Sequence, residues 1–331
     1  MERVTLRRAL YASEEPIRIG VSSCLLGTKV RFDGGHKRSD FLVDTLGRFV
    51  EFVPICPEVE IGLGVPRETL RLVRDGDRAC ATRLVASQTG TDYTDAMNLY
   101  AEHRCAALGS ERLSGYVLKK DSPSCGMERV RIYGSSGMPT RDGLGLFATA
   151  LMRQYPALPV EEEGRLNDPH LRENFVERVF AYRRLRSLFS SRWTFGGLVR
   201  FHTAHKLALM AHSPKAYGEL GRFVANARRL HRQEIVERYG LAFMEALKKI
   251  ATAACHTNVL HHMHGYLRQH LDQDSREELI SLIADYRHGL IPLVVPITLF
   301  RHYLRMFNVT YLSGQVYLEP HPKELMLLNH V

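Results

Sequence analysis

The stretch Ile17-Arg18-Ile19-Gly20-Val21-Ser22-Ser23-Cys24 predicts a buried β-strand that ends in a polar turn. Two later stretches have the same form. Residues 49–55 are rich in β-forming side chains and end at Cys56-Pro57, and residues 115–119 run into a turn at residues 121–126. Three such strands, each followed by a turn that contains a cysteine, set the frame of the first half of the chain.

Helical segments are predicted between these strands, at residues 39–46, 92–108 and 143–155, and Gly47 and Gly109 are predicted to end the first two. Residues 71–85 predict a β-hairpin that turns at Asp75-Gly76. Strands that alternate with helices form parallel sheets covered by helices. Residues 1–160 are therefore predicted to form an α/β domain, a parallel sheet with helices on both faces.

The second half of the chain shows no convincing strand pattern before Val309 and predicts an all-α domain of five to seven helices over residues 161–331. A linker is predicted at residues 156–164. Asp168-Pro169 has the cap and first-turn residues of a helix, and Ser213-Pro214 repeats that signal. Ser275 is predicted to cap a helix that ends at Arg287, and Pro296 to open another.

Charge is distributed unevenly along the 331 residues, whose formal net charge is +9. Residues 1–165 carry 23 Lys and Arg against 22 Asp and Glu, whereas residues 166–331 carry 22 against 14. A near-neutral half that performs chemistry and a basic half that binds a polyanion would explain this distribution. A solvated, arginine-rich helical surface is the alternative explanation.

Composition excludes several classes of protein. An apolar fraction of 45% and a charged fraction of 24% are those of a globular protein and argue against disorder. No stretch reaches 18 apolar residues, and the first 12 residues lack the apolar core of a secretory signal. We therefore expect a cytoplasmic protein without membrane contact, in which six cysteines are free thiols or metal ligands and not disulfides.

Three cysteines, Cys24, Cys56 and Cys125, each follow a predicted strand. Because ligands gather at the carboxyl ends of parallel strands, these thiols can meet at one edge of the sheet and bind a metal or an iron–sulfur cluster. Their wide spacing also fits ordinary core cysteines. The remaining three have no such placement and are interpreted as small buried residues: Cys80, Cys105 and Cys255.

Several motifs in order resemble the TudS-type thiouracil desulfidase family over roughly residues 15–160. They are Ser22-Ser23-Cys24-Leu25-Leu26-Gly27, Arg31-Phe32-Asp33-Gly34-Gly35, Pro54-Ile55-Cys56-Pro57-Glu58, Pro66-Arg67, Leu118-Lys119 and Ser122-Pro123-Ser124-Cys125-Gly126. Phe32 departs from the family, which more often has tyrosine there, so a role for that hydroxyl does not carry over.

The second half resembles the YbgA-type domain that follows a desulfidase domain in the two-domain tRNA-demodifying proteins called RudS. The similar stretches are Phe201-His202-Thr203-Ala204-His205-Lys206, Met210-Ala211-His212-Ser213-Pro214, Asn258-Val259-Leu260-His261, Tyr311-Leu312 and Gln315-Val316-Tyr317-Leu318.

The resemblance implies a 4Fe–4S cluster held by Cys24, Cys56 and Cys125, with the fourth iron free of protein ligands. A soft iron suits a thiocarbonyl sulfur. The implied activity is a non-redox desulfidase that converts 4-thiouridine in tRNA to uridine and releases hydrosulfide. One alternative substrate is free thiouracil or a thiouridine monophosphate. A different class is a non-catalytic tRNA-binding protein whose cysteines hold a structural metal.

Four residues near the cysteines are candidate catalytic groups. Glu58 is the leading candidate for the base that activates water, although it can also cap the following helix. Ser122 and Ser124 can bind substrate or shape the turn at Cys125. Lys119 can neutralise the charge of a cluster or phosphate, or be solvated.

Four further residues are candidates for substrate binding. Ser23 and Arg67 suit a nucleotide phosphate. Asp33, beside Arg31, suits a ribose or base edge, although Asp-Gly is also an ordinary turn.

The resemblance implies tRNA as the partner and implies no protein partner. The candidate RNA-binding residues are basic residues of the helical half: Lys206, Lys215, Arg228, Arg229 and Arg232. Trp193, Tyr217 and Tyr266 can stack on unpaired bases or belong to the core. The histidines around residues 202–212 and 261–264 lack accompanying cysteine pairs, so core positions are favoured over a zinc site.

Overall fold

The computed structural model of the chain describes residues 16–74, 82–134, 138–190 and 192–330. The described chain forms two compact units: the first lies within Pro16–Asn167, and the second contains the described residues from Asp168 to His330. Among the described helices, none has the length and apolar character that crossing a bilayer requires.

A four-stranded parallel sheet forms the centre of the first unit. Its four strands, numbered in chain order within the unit, are β1 (Arg18–Ser22), β2 (Glu51–Ile55), β5 (Leu113–Leu118) and β8 (Val160–Glu162). The strand order is β2-β1-β5-β8, and every neighbouring pair is parallel. All six residues of β5 are buried, as expected for a strand with neighbours on both sides and layers on both faces.

Strands β1 and β5 pack closely at one glycine. Gly20 pairs with Tyr116, whose side chain is fully buried. A Cβ atom at position 20 would lie 2.2 Å from the Tyr116 ring. The tyrosine ring therefore occupies the space that a larger residue at position 20 would need.

A second, mixed sheet lies in the same unit. Its strands are β3 (Leu70–Val73), β4 (Arg83–Ala86), β6 (Val130–Tyr133) and β7 (Pro139–Gly143), in the order β4-β3-β6-β7. The antiparallel pair β3–β4 confirms the predicted hairpin, whose turn at Asp75-Gly76 lies outside the described residues, as does Cys80. The sequence did not predict β6, β7 or the parallel pairing of β3 with β6.

Helices flank the parallel sheet, and their bounds differ from those predicted. They are α1 (Pro57–Glu60), α2 (Thr94–Glu111) and α3 (Leu146–Gln154). Helix α2 runs through Gly109, which was predicted to end it, and stops where Arg112 adopts a left-handed backbone (φ 52°). Residues 39–46 form a π-helix (Phe41–Thr45) followed by a 3-10 turn (Leu46–Arg48), so Gly47 lies inside a turn and ends no helix.

The second unit is helical throughout its described part, which contains nine α-helices where five to seven were predicted. They are α4 (Pro169–Phe189), α5 (Phe195–Ala204), α6 (Lys206–His212), α7 (Pro214–Asn226), α8 (Arg232–Lys248), α9 (Ala253–Leu267), α10 (Gln273–Arg287), α11 (Val294–Met306) and α12 (Thr310–Ser313). The predicted fold class, a parallel α/β region followed by a helical region, is confirmed.

Side-chain caps fix several of these helix starts. The Asp168 carboxylate accepts the backbone N–H groups of His170 and Leu171 at 2.9 and 3.0 Å, as the Asp168-Pro169 pair predicted. Helix α10 is capped by Asp272 and not by Ser275, which donates its own N–H to the Asp272 carboxylate at 2.9 Å.

The predicted linker is also wrong in part. Val160–Glu162 forms the edge strand β8, whose Val160 pairs with Tyr116 of β5. The acidic run that suggested an exposed connection therefore belongs to the sheet, where Glu161 and Glu162 are buried. Their burial is offset by polar partners, since Glu161 pairs with Arg165 at 2.7 Å and Glu162 accepts the N–H of Met127 at 2.7 Å.

Candidate active site

One cavity of about 340 Å³ lies at the carboxyl ends of β1, β2 and β5 and is lined by the three cysteines that follow them. Cys24 is the second residue of the 3-10 turn that follows β1 (Ser23–Leu26), Cys56 follows the last residue of β2, and Cys125 lies in the loop after β5. All three are free thiols; Cys24 and Cys125 are buried and Cys56 is half-buried. The parallel sheet thus brings together residues 32 and 69 positions apart.

Burial raises the pKa of all three thiols, and Cys24 and Cys125 are also affected by neighbouring thiols. Burial raises the pKa of Cys24 to about 11, and the neighbouring Cys56 thiolate adds to that rise. Burial also raises the pKa of Cys56 and of Cys125, and for Cys125 the Glu58 carboxylate and both other thiolates act in the same direction. Three deprotonated thiols in this space need a cationic group to compensate them.

Backbone contacts hold the loops that carry the thiols. The Ser122 hydroxyl accepts the N–H groups of Ser124 and Cys125 at 3.2 and 3.1 Å, which is the role of a turn residue. A Cβ atom on Gly145 would lie 2.5 Å from the carbonyl oxygen of Ser124. Close packing behind the Cys125 loop therefore requires glycine at position 145.

Glu60 holds the Cys56 loop, and the sequence analysis did not single it out. Its Oε1 accepts the N–H of Cys56 at 3.3 Å, while Oε2 accepts the Tyr100 hydroxyl at 2.7 Å and pairs with Arg104 at 3.3 Å. A glutamate four residues after a helix-capping cysteine was the only local signal for this role.

Glu58 lines the cavity next to Cys56 and is held by two side chains. Its Oε1 accepts the Ser124 hydroxyl at 3.1 Å, and its Oε2 pairs with Nη2 of Arg67. Arg67 is nearly buried, with its side chain 7% exposed, and also donates to the carbonyl oxygen of Val30 at 3.0 Å. The structure therefore places Arg67 as a partner of Glu58, while the proposal that it binds a phosphate stays a prediction.

Lys119 lines the same cavity, but its ammonium pairs with Glu163. Its backbone N–H donates to the Ser22 hydroxyl at 3.0 Å, which ties the end of β5 to β1. Glu163 also accepts the N–H of Lys120 at 2.7 Å. Sequence reasoning missed Glu163 because its acidic run resembled a linker.

The candidate substrate-binding residues divide into two groups. Ser23 and Arg31 line the cavity. Asp33 is not among the lining residues; it accepts the N–H of Gly35 at 3.0 Å and lies 3.6 Å from Nε of Arg31. Several polar lining residues had not been singled out by the sequence, among them Lys37, Thr69 and Lys120.

The candidate RNA-binding residues lie on the second unit. Arg228 and Arg232 lie near the rings of Phe195 and Trp193, at 6.0 and 4.2 Å, and Arg232 also donates to the Trp193 carbonyl. Trp193 is buried, so its ring belongs to the core. Lys215 and Arg229 are exposed, and Lys206 lies among other aromatic rings.

Core positions are confirmed for one of the two groups of histidines. His202, His205 and His212 are buried, whereas His261 is exposed and His262 and His264 are half-buried. Within the described residues, no three side chains of His, Cys, Asp or Glu lie close enough together to hold a single metal ion, so the three thiols of the cavity do not form a mononuclear site either.

Comparison with known proteins gives two family matches on this chain. Residues 19–163 match the model of the 2-thiouracil desulfurase family, and residues 206–322 match the model of a protein family of unknown function, DUF1722.

Among individual relatives, the Escherichia coli (strain K12) protein YbgA is 36% identical over 151 residues, covering 45% of this chain and 89% of YbgA. Bacillus subtilis (strain 168) YbbK is 29% identical over 153 residues, covering 45% of this chain and 97% of YbbK. The solved structure of a [4Fe-4S]-dependent thiouracil desulfidase, TudS, shares 34% identity, covers 46% of this chain and 94% of its own, and gives a TM-score of 0.37.

Proposed function

Because the chain belongs to the YbgA family and joins a 2-thiouracil desulfurase domain to a DUF1722 domain, we propose that it removes sulfur from 4-thiouridine in tRNA. The observation that carries this proposal is the convergence of Cys24, Cys56 and Cys125 on one cavity. The net reaction replaces the thiocarbonyl sulfur by the oxygen of water and releases hydrosulfide and a proton. No electrons are transferred, so no external reductant is needed.

The donor set fits a 4Fe–4S cluster. Such clusters are held by cysteine thiolates, each on a different iron, so the thiols need only face a common space. Cys24, Cys56 and Cys125 are three free thiols whose charges interact across the cavity. When bound by three thiolates, the cluster supplies an iron without a protein ligand, a soft Lewis acid for a thiocarbonyl sulfur.

Glu58 is the base in this proposal. Its Oε1 takes a proton from water, while the Arg67 guanidinium holds Oε2 and fixes the orientation of the carboxylate. The Ser124 hydroxyl, which donates to the same Oε1, is fully buried and does not line the cavity, so its role is to position the carboxylate. Lys119 lines the cavity, and its ion pair with Glu163 holds the ammonium in place.

Substrate choice is proposed from the two units together. The cavity volume suits a single base or nucleotide. The second unit carries most of the net positive charge, since residues 166–331 hold 22 basic against 14 acidic residues. That charge favours a tRNA over free thiouracil, because the polyanion is attracted by the basic residues and a neutral base is not.

The test is anaerobic reconstitution of the full chain, followed by iron and acid-labile sulfide analysis and by sulfide release from thiolated tRNA and from free 4-thiouracil. We expect about four irons per chain and a higher kcat/KM for the tRNA. Equal values for both substrates would favour the free base as substrate. Bound metal without any sulfide release would favour the structural-metal alternative and overturn the proposal.

A further inference from the structure

Four helices of the second unit bring one lysine and three tyrosines together, a group we call the tyrosine–lysine cluster: Lys206 of α6, Tyr217 of α7, Tyr266 of α9 and Tyr311 of α12. The Lys206 ammonium lies 5.9 Å from the centre of the Tyr217 ring and 5.6 Å from that of Tyr311. It also donates to the Tyr311 hydroxyl at 3.2 Å.

The rings of Tyr266 and Tyr311 are stacked, with centroids 5.0 Å apart and planes 26° from parallel. Tyr311 is 43% exposed, and Lys206, Tyr217 and Tyr266 are half-buried. A tyrosine that served only to fill the core would be covered. The stack therefore ends at the surface, with one ring open to solvent.

The charge of Lys206 has no acidic partner among the ion pairs of the described residues. Lys119, Lys215 and Lys248, in contrast, each lie within 4.0 Å of a glutamate. Burial lowers the pKa of Lys206, but the hydrogen bond to Tyr311 and the nearby phenols outweigh burial and raise it. The ammonium thus remains charged at neutral pH and is surrounded by rings and hydroxyls.

An exposed stacked ring beside the Lys206 ammonium matches the chemistry of a nucleotide. Aromatic rings that stack on bases, next to a cation that meets the backbone, are how proteins bind single-stranded nucleic acid. An acidic peptide would match the cation but not a stacked pair of rings that ends at the surface. A phosphate alone would match the cation and hydroxyls and leave the exposed ring unexplained.

We propose that the tyrosine–lysine cluster binds one unpaired nucleotide of an RNA, whose base stacks on Tyr311 and whose phosphate meets Lys206 and the tyrosine hydroxyls. This inference rests on the proposed function, because it takes RNA as the partner of the second unit. It adds a defined nucleotide subsite to what would otherwise be a diffuse basic surface.

The test uses the full chain and fluorescence anisotropy with a labelled, unstructured oligoribonucleotide and with tRNA, at several salt concentrations. Tyr311→Leu is expected to weaken oligonucleotide binding about 5–100-fold, the loss typical of one stacked base, without changing the salt slope. Tyr311→Phe keeps the ring and should retain most of the affinity. Lys206→Met should lower the slope of log K against log salt by about 0.7, the value for one phosphate of a single strand.

Lys323→Met is the matched control, because Lys323 is an exposed lysine of the same unit outside the cluster. It should bind like the parent. Parental affinity of Tyr311→Leu, or an equal loss in Lys323→Met, would overturn the subsite. Failure of the proposed function is a separate result: tRNA would yield no sulfide, while the dependence of RNA binding on Tyr311 and Lys206 would persist.

Discussion

Residues at the cavity of the first unit owe their geometry to partners distant in sequence. Glu58 is held by Arg67, nine positions away, and by Ser124, 66 positions away. Each partner takes one carboxylate oxygen, so the side chain has a single orientation. A base fixed in this way loses little entropy when it meets the attacking water.

The thiols are the first place to test this arrangement. Cys125→Ser keeps the size of a buried side chain but removes a soft ligand, so iron content should fall and sulfide release should be lost. Cys255→Ser is the control, since Cys255 is half-buried on α9 of the other unit. Parental iron content and parental sulfide release in Cys125→Ser would contradict the assignment.

Glu58→Gln keeps the shape of the side chain and removes its charge. If Glu58 is the base, the rate of sulfide release should fall about 10²–10⁴-fold while the iron content is retained. Glu51→Gln, at a side chain 58% exposed on β2, should leave the rate unchanged. A fall of less than threefold in Glu58→Gln would show that another group takes the proton.

At the scale of the elements, the stability of the parallel sheet depends on the close pairing of β1 with β5, where Gly20 faces Tyr116. Gly20→Ala places a methyl group against the buried ring, and such overpacking costs about 1–3 kcal/mol. Thermal unfolding should show a lower Tm for this variant. Gly265→Ala on α9 meets no atom within 4 Å and should raise stability by up to about 1 kcal/mol. An unchanged Tm for Gly20→Ala would show that Tyr116 can move aside.

Helices of the second unit bury a histidine that gives stability a defined pH dependence. His205 is 1% exposed, its ring lies 4.1 Å from that of Phe201, and burial with the nearby Arg184 lowers its pKa to about 3. The unfolded histidine titrates near 6.5. Between these values the unfolded chain binds the extra proton, so the free energy of unfolding falls as the pH is lowered.

This loss should amount to about 1.4 kcal/mol per pH unit below 6.5. Denaturant midpoints of the parent and of His205→Gln, measured from pH 7.5 to 5, would report it. The parent should lose stability more steeply than the variant. Parallel curves would show that His205 binds a proton as readily in the folded state as in the unfolded chain.

At the scale of the whole molecule, the two halves of the chain differ both in net charge and in fold class. The near-neutral half of the chain contains the cavity, and the basic half forms the helical second unit. If about 4–5 phosphates are neutralised, tRNA affinity should drop about 10²–10³-fold between 50 and 200 mM salt. Turnover of uncharged free 4-thiouracil should change little over the same range. Salt-independent tRNA binding would contradict the electrostatic role of the second unit.

Local sequence predicted the parallel strands and their cysteine turns because buried strands are continuous apolar runs and turns are rich in Gly, Pro and Ser. It missed β8, because the acidic residues of Val160–Glu162 are typical of an exposed segment. Their burial depends on Arg165 and the N–H of Met127, which no local pattern shows. Of the second sheet, the β3–β4 hairpin was predicted, but β6, β7 and the parallel pairing of β3 with β6 were not. Strand β7 (Pro139–Gly143) is polar and mostly exposed, which is typical of a loop.

The sequence by itself determined the α/β-then-α order and which cysteines end strands, because both follow from the local spacing of apolar and polar residues. Only the tertiary structure decided that the thiols face one cavity, that Arg67 and Lys119 are paired with Glu58 and Glu163, and that Lys206 lies among three tyrosines. These are contacts between residues up to about a hundred positions apart. Long-range pairing depends on how strands and helices pack, and packing is a property of the whole chain.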